Sequence, residues 1–472
     1  MRTDSKDDAR AGGVPAARLL AVAFALFTFL LMGTGTWSDL ALMGQDLALP
    51  VYYLRELMLA AGFVLCGLAL RGEASRSWAR THAAGICTVL GMGILACACV
   101  MALPVPVLAR ASVSTASALL VGVAGALTYA SVARCAAVAG PGGFRVLGLV
   151  VGAGGSAAVV VHYVLQIVLE PGPWLVPVFA VCLAALMWCV VAALGAPYPE
   201  GSPQPADAEG CGAVTLACMV VVAACLFGLL LLYEGVVRLA GAQASLYDWH
   251  RLFLVAGYLV VGGVAWRGGR PAATTLVVVS ALFAILVLMQ TALLQEGPMT
   301  GALFYTLLGA AIAWCAIMFM DQAAFSSSPV LVASAGRVIE AAVTVAGLAI
   351  TGAGTPSVIA LLAFALVMLA VLVVASVKGG LLVFAPHAPQ AREGAGAVPL
   401  EERAHQLSQE CGLTPREEDV LCALVLTEDK NQQIATDLGI SRRQLQSHIA
   451  HIYKKTGTAT RAGLVARASG GH

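Results

Sequence analysis

The chain has 472 residues, 60% of them hydrophobic and only 11% charged, with a net charge of +1 and a mean hydropathy of +0.87. Soluble domains are about 45–50% apolar, so this composition excludes an ordinary soluble protein and leaves room for about a dozen membrane-crossing helices and one small domain. The near-zero balance also excludes a bulk cationic attraction to nucleic acid, so any such attraction is local.

Residues 1–17 form a charged tail. No small-residue cleavage site follows a short apolar core, so the next run reads as a first transmembrane helix and not a signal peptide. Apolar runs fall at about 18–37, 51–70, 83–103, 112–133, 145–168, 174–194, 214–233, 250–266, 273–294, 300–320, 330–350 and 356–377. Lipid offers the backbone no partner, which leaves helices or closed barrels as the only spanning forms. The pattern therefore predicts an all-α protein whose membrane part is a bundle of twelve transmembrane helices.

Cations orient that bundle. Arg2, Lys6, Arg10 and Arg18 lie before the first span, Arg71, Arg76 and Arg80 between spans two and three, Arg134 and Arg145 between four and five, and Arg267 and Arg270 between eight and nine. Loops on the opposite side offer only Arg110 and Arg238. The positive-inside rule puts both termini in the cytoplasm.

The sequence repeats itself once. "YYLRELMLAAGFVLCGLALRG" (52–72) aligns without gaps on "DWHRLFLVAGYLVVGGVAWRG" (248–268), matching Arg55 with Arg251 and Arg71 with Arg267. Two six-helix halves follow, 18–194 and 214–378, joined by the Pro-rich, acidic linker 195–213. This layout resembles the major facilitator superfamily, whose parallel halves are related about the membrane normal. The acidic-plus-Arg signature of that family's two–three loop is not matched by "RGEASRSWAR".

Ionisable and amide side chains inside spans are costly and mark functional candidates. Arg55, Glu56, His162, Gln166, Arg251 and Gln290 fall in the outward half, while Arg337 and Glu340 lie three residues apart on one face of span eleven. They are either outer-face anchors and a structural ion pair, or the walls of a cavity between the halves for a small anionic or phenolic inducer. The thirteen cysteines mostly occupy apolar runs, where they pack as small hydrophobes, and no CxxC or Cys/His metal spacing occurs. No nucleophile–base pair emerges, so neither an enzyme, a metal nor a cofactor is expected.

Beyond Lys378 the composition changes. Residues 379–399, rich in Gly, Ala and Pro, read as a flexible linker to a final domain, 400–472. "PLEERAHQLSQECG" is a short amphipathic helix. "LTPREEDVLCALVL" opens with Thr414 as N-cap, Pro415 at the first helical position and Glu417 completing a capping box. "NQQIATDLG" is a second helix ending at Gly439, and Ser441 with Gln444 caps a third, in which Leu445, Ile449 and Ile452 face the core. Residues 438–467 hold six Arg/Lys and no acidic residue. A cationic helix following a helix and a tight turn is helix-turn-helix geometry.

The residues "LTPRE", "IA..L.IS", His448, "IY.K.G" and "R..LV", at consistent spacing over about 55 positions, resemble the LuxR-type DNA-binding domain. The resemblance implies four helices, dimerisation through the last, and double-stranded promoter DNA as partner. It implies base contacts from Gln446, Ser447 and Ala450, and phosphate contacts from Arg442, Arg443, Lys454 and Lys455. Gln432, Gln433, Gln444, Leu445, Gln446 and Thr456 depart from the family's usual residues, so an operator sequence does not carry over. The two-part chain resembles LuxR-family regulators with a twelve-span N-terminal half. It is expected to be a one-component regulator sensing a small molecule in the bilayer; the alternative is a secondary transporter with a regulatory DNA-binding tail.

Overall fold

The computed structural model describes residues 19–35, 48–138, 142–165, 175–195, 213–239, 249–294, 298–352, 358–382, 400–426, 431–458 and 461–468. The chain divides into two compact units, Met1–Phe384 and Ala385–His472. In the first, α1 (Leu19–Gly35) is followed by α2 (Ala48–Ala69), α3 (Glu73–Thr81), α4 (Ala83–Met101), α5 (Val107–Val138), α6 (Gly143–Tyr163), α7 (Leu175–Gly195) and α8 (Ala213–Leu239). A short 3-10 helix (Trp249–Phe253) leads into α9 (Leu254–Leu294), α10 (Pro298–Ala323), α11 (Pro329–Gly352) and α12 (Val358–Lys378).

Among the described residues ten helices are long and apolar enough to cross a membrane, and α1 is a shorter apolar helix. One of the ten, α9, runs through both sequences expected as spans eight and nine. Its 41 residues are interrupted at Gly269, where the backbone leaves the helix (φ 73°) just before Pro271. A straight helix of that length would extend about 60 Å, twice the hydrocarbon core. The outward surface carries large apolar side chains, among them Val89 at 74% exposure, Leu108 at 71% and Val181 at 69%. Large apolar side chains exposed in such number suit lipid and not water. The protein is a multi-pass membrane protein.

Inside, α2 packs on α5 and α11, α6 on α9, α9 on α10, and α8 on α11 and α12. The pairs α2·α11 and α6·α9 join the first repeat to the second. At α6·α9 the backbones nearly touch: a Cβ placed on Gly262 would lie 2.6 Å from both the Gly148 oxygen and the Gly152 Cα. Small residues permit such approach where no hydrophobic effect drives helices together. Several buried hydroxyls donate back to their own helices, as Thr128 does to the Ala124 carbonyl (2.8 Å) and Ser334 to Val330 (2.8 Å), which satisfies those hydroxyls without a partner on another helix. The rings of Phe27 and Phe63 meet Tyr129 edge-on at 5.8 and 6.1 Å. Fully buried Trp314 donates to the Thr274 hydroxyl at 3.2 Å, tying α10 to α9.

The second unit contains α13 (Leu400–Glu410), α14 (Pro415–Leu426), α15 (Asn431–Asp437), α16 (Arg442–Thr456) and α17 (Arg461–Ala468). Val420, Leu421, Leu424, Ile434, Leu445, Ile452 and Leu464 form its own core. Between α15 and α16, the Ile440 amide bonds the Ala435 carbonyl (2.9 Å) and the Gly439 amide bonds Thr436 (3.1 Å). That double closure needs a left-handed residue, supplied by Gly439 at φ 65°. Ser441 then starts α16 with a reciprocal capping box to Gln444.

Candidate functional site

In the second unit, α16 is an amphipathic helix pinned by Leu445 and Ile452, both wholly buried. Its opposite side exposes Arg442, Arg443, Gln446, Ser447, Ala450 and Lys454. Positions 443, 446, 447, 450 and 454 follow the i, i+3, i+4, i+7, i+11 spacing of one helical stripe, so the cations and the amide face the same way. Gln446, Arg442 and Arg443 are all exposed in the first half of α16.

Lys455 is placed differently. Its ammonium donates to Glu417 Oε2 at 2.7 Å and to the Gly412 carbonyl at 3.1 Å. Glu417 is the hub: its Oε2 also accepts from the Thr414 amide (2.8 Å) and hydroxyl (2.9 Å). The Lys455 hydrogen bond first, and the Thr414 amide second, pull the Glu417 carboxyl from 4.5 to about 2 against the opposing effect of burial. Glu418 is likewise lowered, chiefly by its hydrogen bond from His405 on α13. The lysine therefore clamps the end of α16 to the start of α14, a role that spacing in sequence did not reveal.

In the first unit a cavity of about 190 Å³ is lined by Arg55, Glu56, Arg251, Arg337 and Glu340, five of the ionisable residues singled out in the sequence. They come from α2, the 3-10 segment and α11. Arg337 forms an ion pair with Glu340 one turn on. Arg55 donates to the Gly35 carbonyl at 2.8 Å, lies 3.5 Å from Glu56, and stacks over Tyr52 at 5.2 Å. His162 is elsewhere: it is buried in α6 with its ring edge-on to Phe29 at 6.5 Å and does not line the cavity. Gln166 and the side chain of Gln290 lie outside the described residues.

Sequence reasoning missed the tyrosines. Tyr52, Tyr258 and Tyr305 line the same space, with Thr28, Thr34 and Thr344. Within apolar runs these residue types look like packing, and only the convergence of five separate elements gives them a common address.

A comparison with curated proteins finds no match. Among solved structures, the chain is similar to FucP, a major facilitator superfamily transporter in its outward conformation (12% identity, 77% of this chain and 98% of that one, TM-score 0.47). It is also similar to the human organic anion transporter MFSD10 (14% identity, 78% and 96%, TM-score 0.44). Residues 412–468 match the family described as bacterial regulatory proteins, luxR family. That match coincides with α14 to α17 and the exposed stripe on α16, so the C-terminal unit carries a LuxR-type DNA-binding domain.

Proposed function

We propose that this protein is a membrane-embedded, one-component transcription regulator. A small molecule binds the cavity in the membrane unit, and the cytoplasmic tail reads promoter DNA, as a dimer when bound. Counting α1, and dividing α9 at Gly269, gives twelve passes. An even number, together with the Arg-rich loops of one side, supports a reading in which the protein sits in the inner membrane with both chain ends in the cytoplasm, where DNA is accessible. The reading assigns no catalytic step.

The observation that carries this reading is the pairing, in one chain, of a LuxR-type domain with a membrane-unit cavity lined by three arginines and two glutamates. Such groups are expensive inside a bilayer and are kept where they bind or switch. Regulation through them needs little energy: about 1.4 kcal/mol of differential affinity between two states changes occupancy tenfold.

The test is retention of promoter DNA by the isolated tail, residues 400–472. Affinity is expected to fall steeply as salt rises, because each neutralised phosphate releases counterions. A folded tail with no salt-dependent retention of any DNA would refute the regulator. The second reading, a transporter with a regulatory tail, predicts uptake of the cavity ligand into proteoliposomes; the regulator predicts binding without flux.

A further inference from the structure

We infer that the ligand of the membrane cavity is a small organic anion whose negative group is taken by Arg251. The inference rests on the reading of this cavity as a ligand site and adds the ligand's chemical class. It follows first from a charge count. The lining carries Arg55, Arg251 and Arg337 against Glu56 and Glu340, which leaves one cation in surplus.

The pairing identifies which one. Arg337 is taken by Glu340. Arg55 lies beside Glu56 and donates to the Gly35 carbonyl. Among the described residues Arg251 has neither a carboxylate nor a hydrogen-bond acceptor, although it is half-buried against the cavity. In addition, the Nε–H of Arg337 is buried and has no acceptor. The orphaned Arg337 donor is a standing cost, and the half-buried Arg251 offers a guanidinium with no protein partner among the described residues, so an incoming anion relieves the first and pairs with the second.

The shape of the donors narrows the class. A guanidinium is a planar fork that matches two coplanar oxygens, so a carboxylate fits better than a spherical anion. The rest of the wall is largely apolar or aromatic, with Leu254, Ile312, Phe304 and Tyr305 among the lining residues. The body of the ligand is therefore apolar and compact, since about 190 Å³ is below the range of about 300–1,000 Å³ typical of drug-sized sites. A cation of the same size would add to the surplus charge and is excluded from the site.

The experiment uses the full chain in lipid nanodiscs and measures the thermal unfolding midpoint. The probes are benzoate, benzamide, benzylammonium and inorganic phosphate, at roughly 10 mM each and constant ionic strength, since a ligand that binds only the folded state raises the midpoint. Benzoate is expected to raise it, and the other three are expected to leave it unchanged. Arg251→Gln is expected to abolish the benzoate shift while leaving the midpoint without ligand equal or higher. Should that variant fail to insert, Arg251→Lys keeps the charge but loses the fork, and a reduced benzoate shift is expected. No shift with benzoate, an equal shift with benzamide, benzylammonium or phosphate, or a full benzoate shift in both variants each overturns the inference. None of these outcomes touches DNA retention by the tail, so failure of the anion site and failure of the regulator remain distinguishable.

Discussion

Replacing Glu417 by Gln probes the clamp between α14 and α16. Its side chain is only 6% exposed and it meets Lys455 at 2.7 Å. A carboxyl held at about 2 instead of 4.5 corresponds to about 3 kcal/mol at neutral pH. Lys455 is 36% exposed, so solvent screening trims the expected value to about 2 kcal/mol. The sign follows from the lowered carboxyl: the contribution is complete above pH 4.5 and is lost as pH falls towards 2. Urea unfolding of the tail, followed by circular dichroism from pH 7 to pH 2, measures it. Wild type minus Glu417→Gln is expected to be about 2 kcal/mol at pH 7 and to shrink towards zero at the acid end, whereas the other carboxylates cancel in the difference. A constant difference across that range would show that the Glu417 charge contributes nothing to the clamp.

Other consequences are equally direct. Replacing both Arg442 and Arg443 by Ala is expected to weaken DNA binding alike for all sequences and to flatten the log–log salt slope by about 2, read from filter retention at several salt concentrations. Gln446→Ala should relax selection at one base pair, worth about 1–3 kcal/mol, while nonspecific binding stays nearly intact; an unchanged selected motif would remove Gln446 from the base-reading set. A reporter active only in the cytoplasm is expected to be on when fused after Lys378 and off when placed near Asp46, and an external C-terminus would end the DNA-binding reading.

How much of this was legible in the sequence depends on the range of the interaction. Capping by Ser441 and Gln444 is a contact three residues long, so its pattern survives in the linear text. The long apolar runs are legible for the same reason, because each helix satisfies its backbone within itself. The break between spans eight and nine is legible as well: "WRGGRPAA" separates the two expected spans, and the backbone leaves the helix at Gly269. Cost also leaves a trace. Arg55, Arg251 and Glu340 stood out because charge is rare in apolar sequence, and they line one cavity, but the same criterion flagged His162, which packs against Phe29 instead. Interactions between distant segments of ordinary residues left no trace at all. Lys455 with Glu417 is 38 positions apart and Trp314 with Thr274 is 40, and no local rule pairs them.

The bracing of α16 bears on how such a protein can be switched. Its first turn is closed by the capping box, its middle is seated by Leu445 and Ile452, and its last turn is tied by Lys455 to Glu417. Ordering a disordered recognition segment on DNA would cost about 1–2 kcal/mol per residue in backbone freedom. This helix has already paid that entropy during folding, so the tail is an instrument always ready to read. Under the proposed regulation, control then falls to position: how many tails share a stretch of promoter, at what effective concentration, and with what spacing.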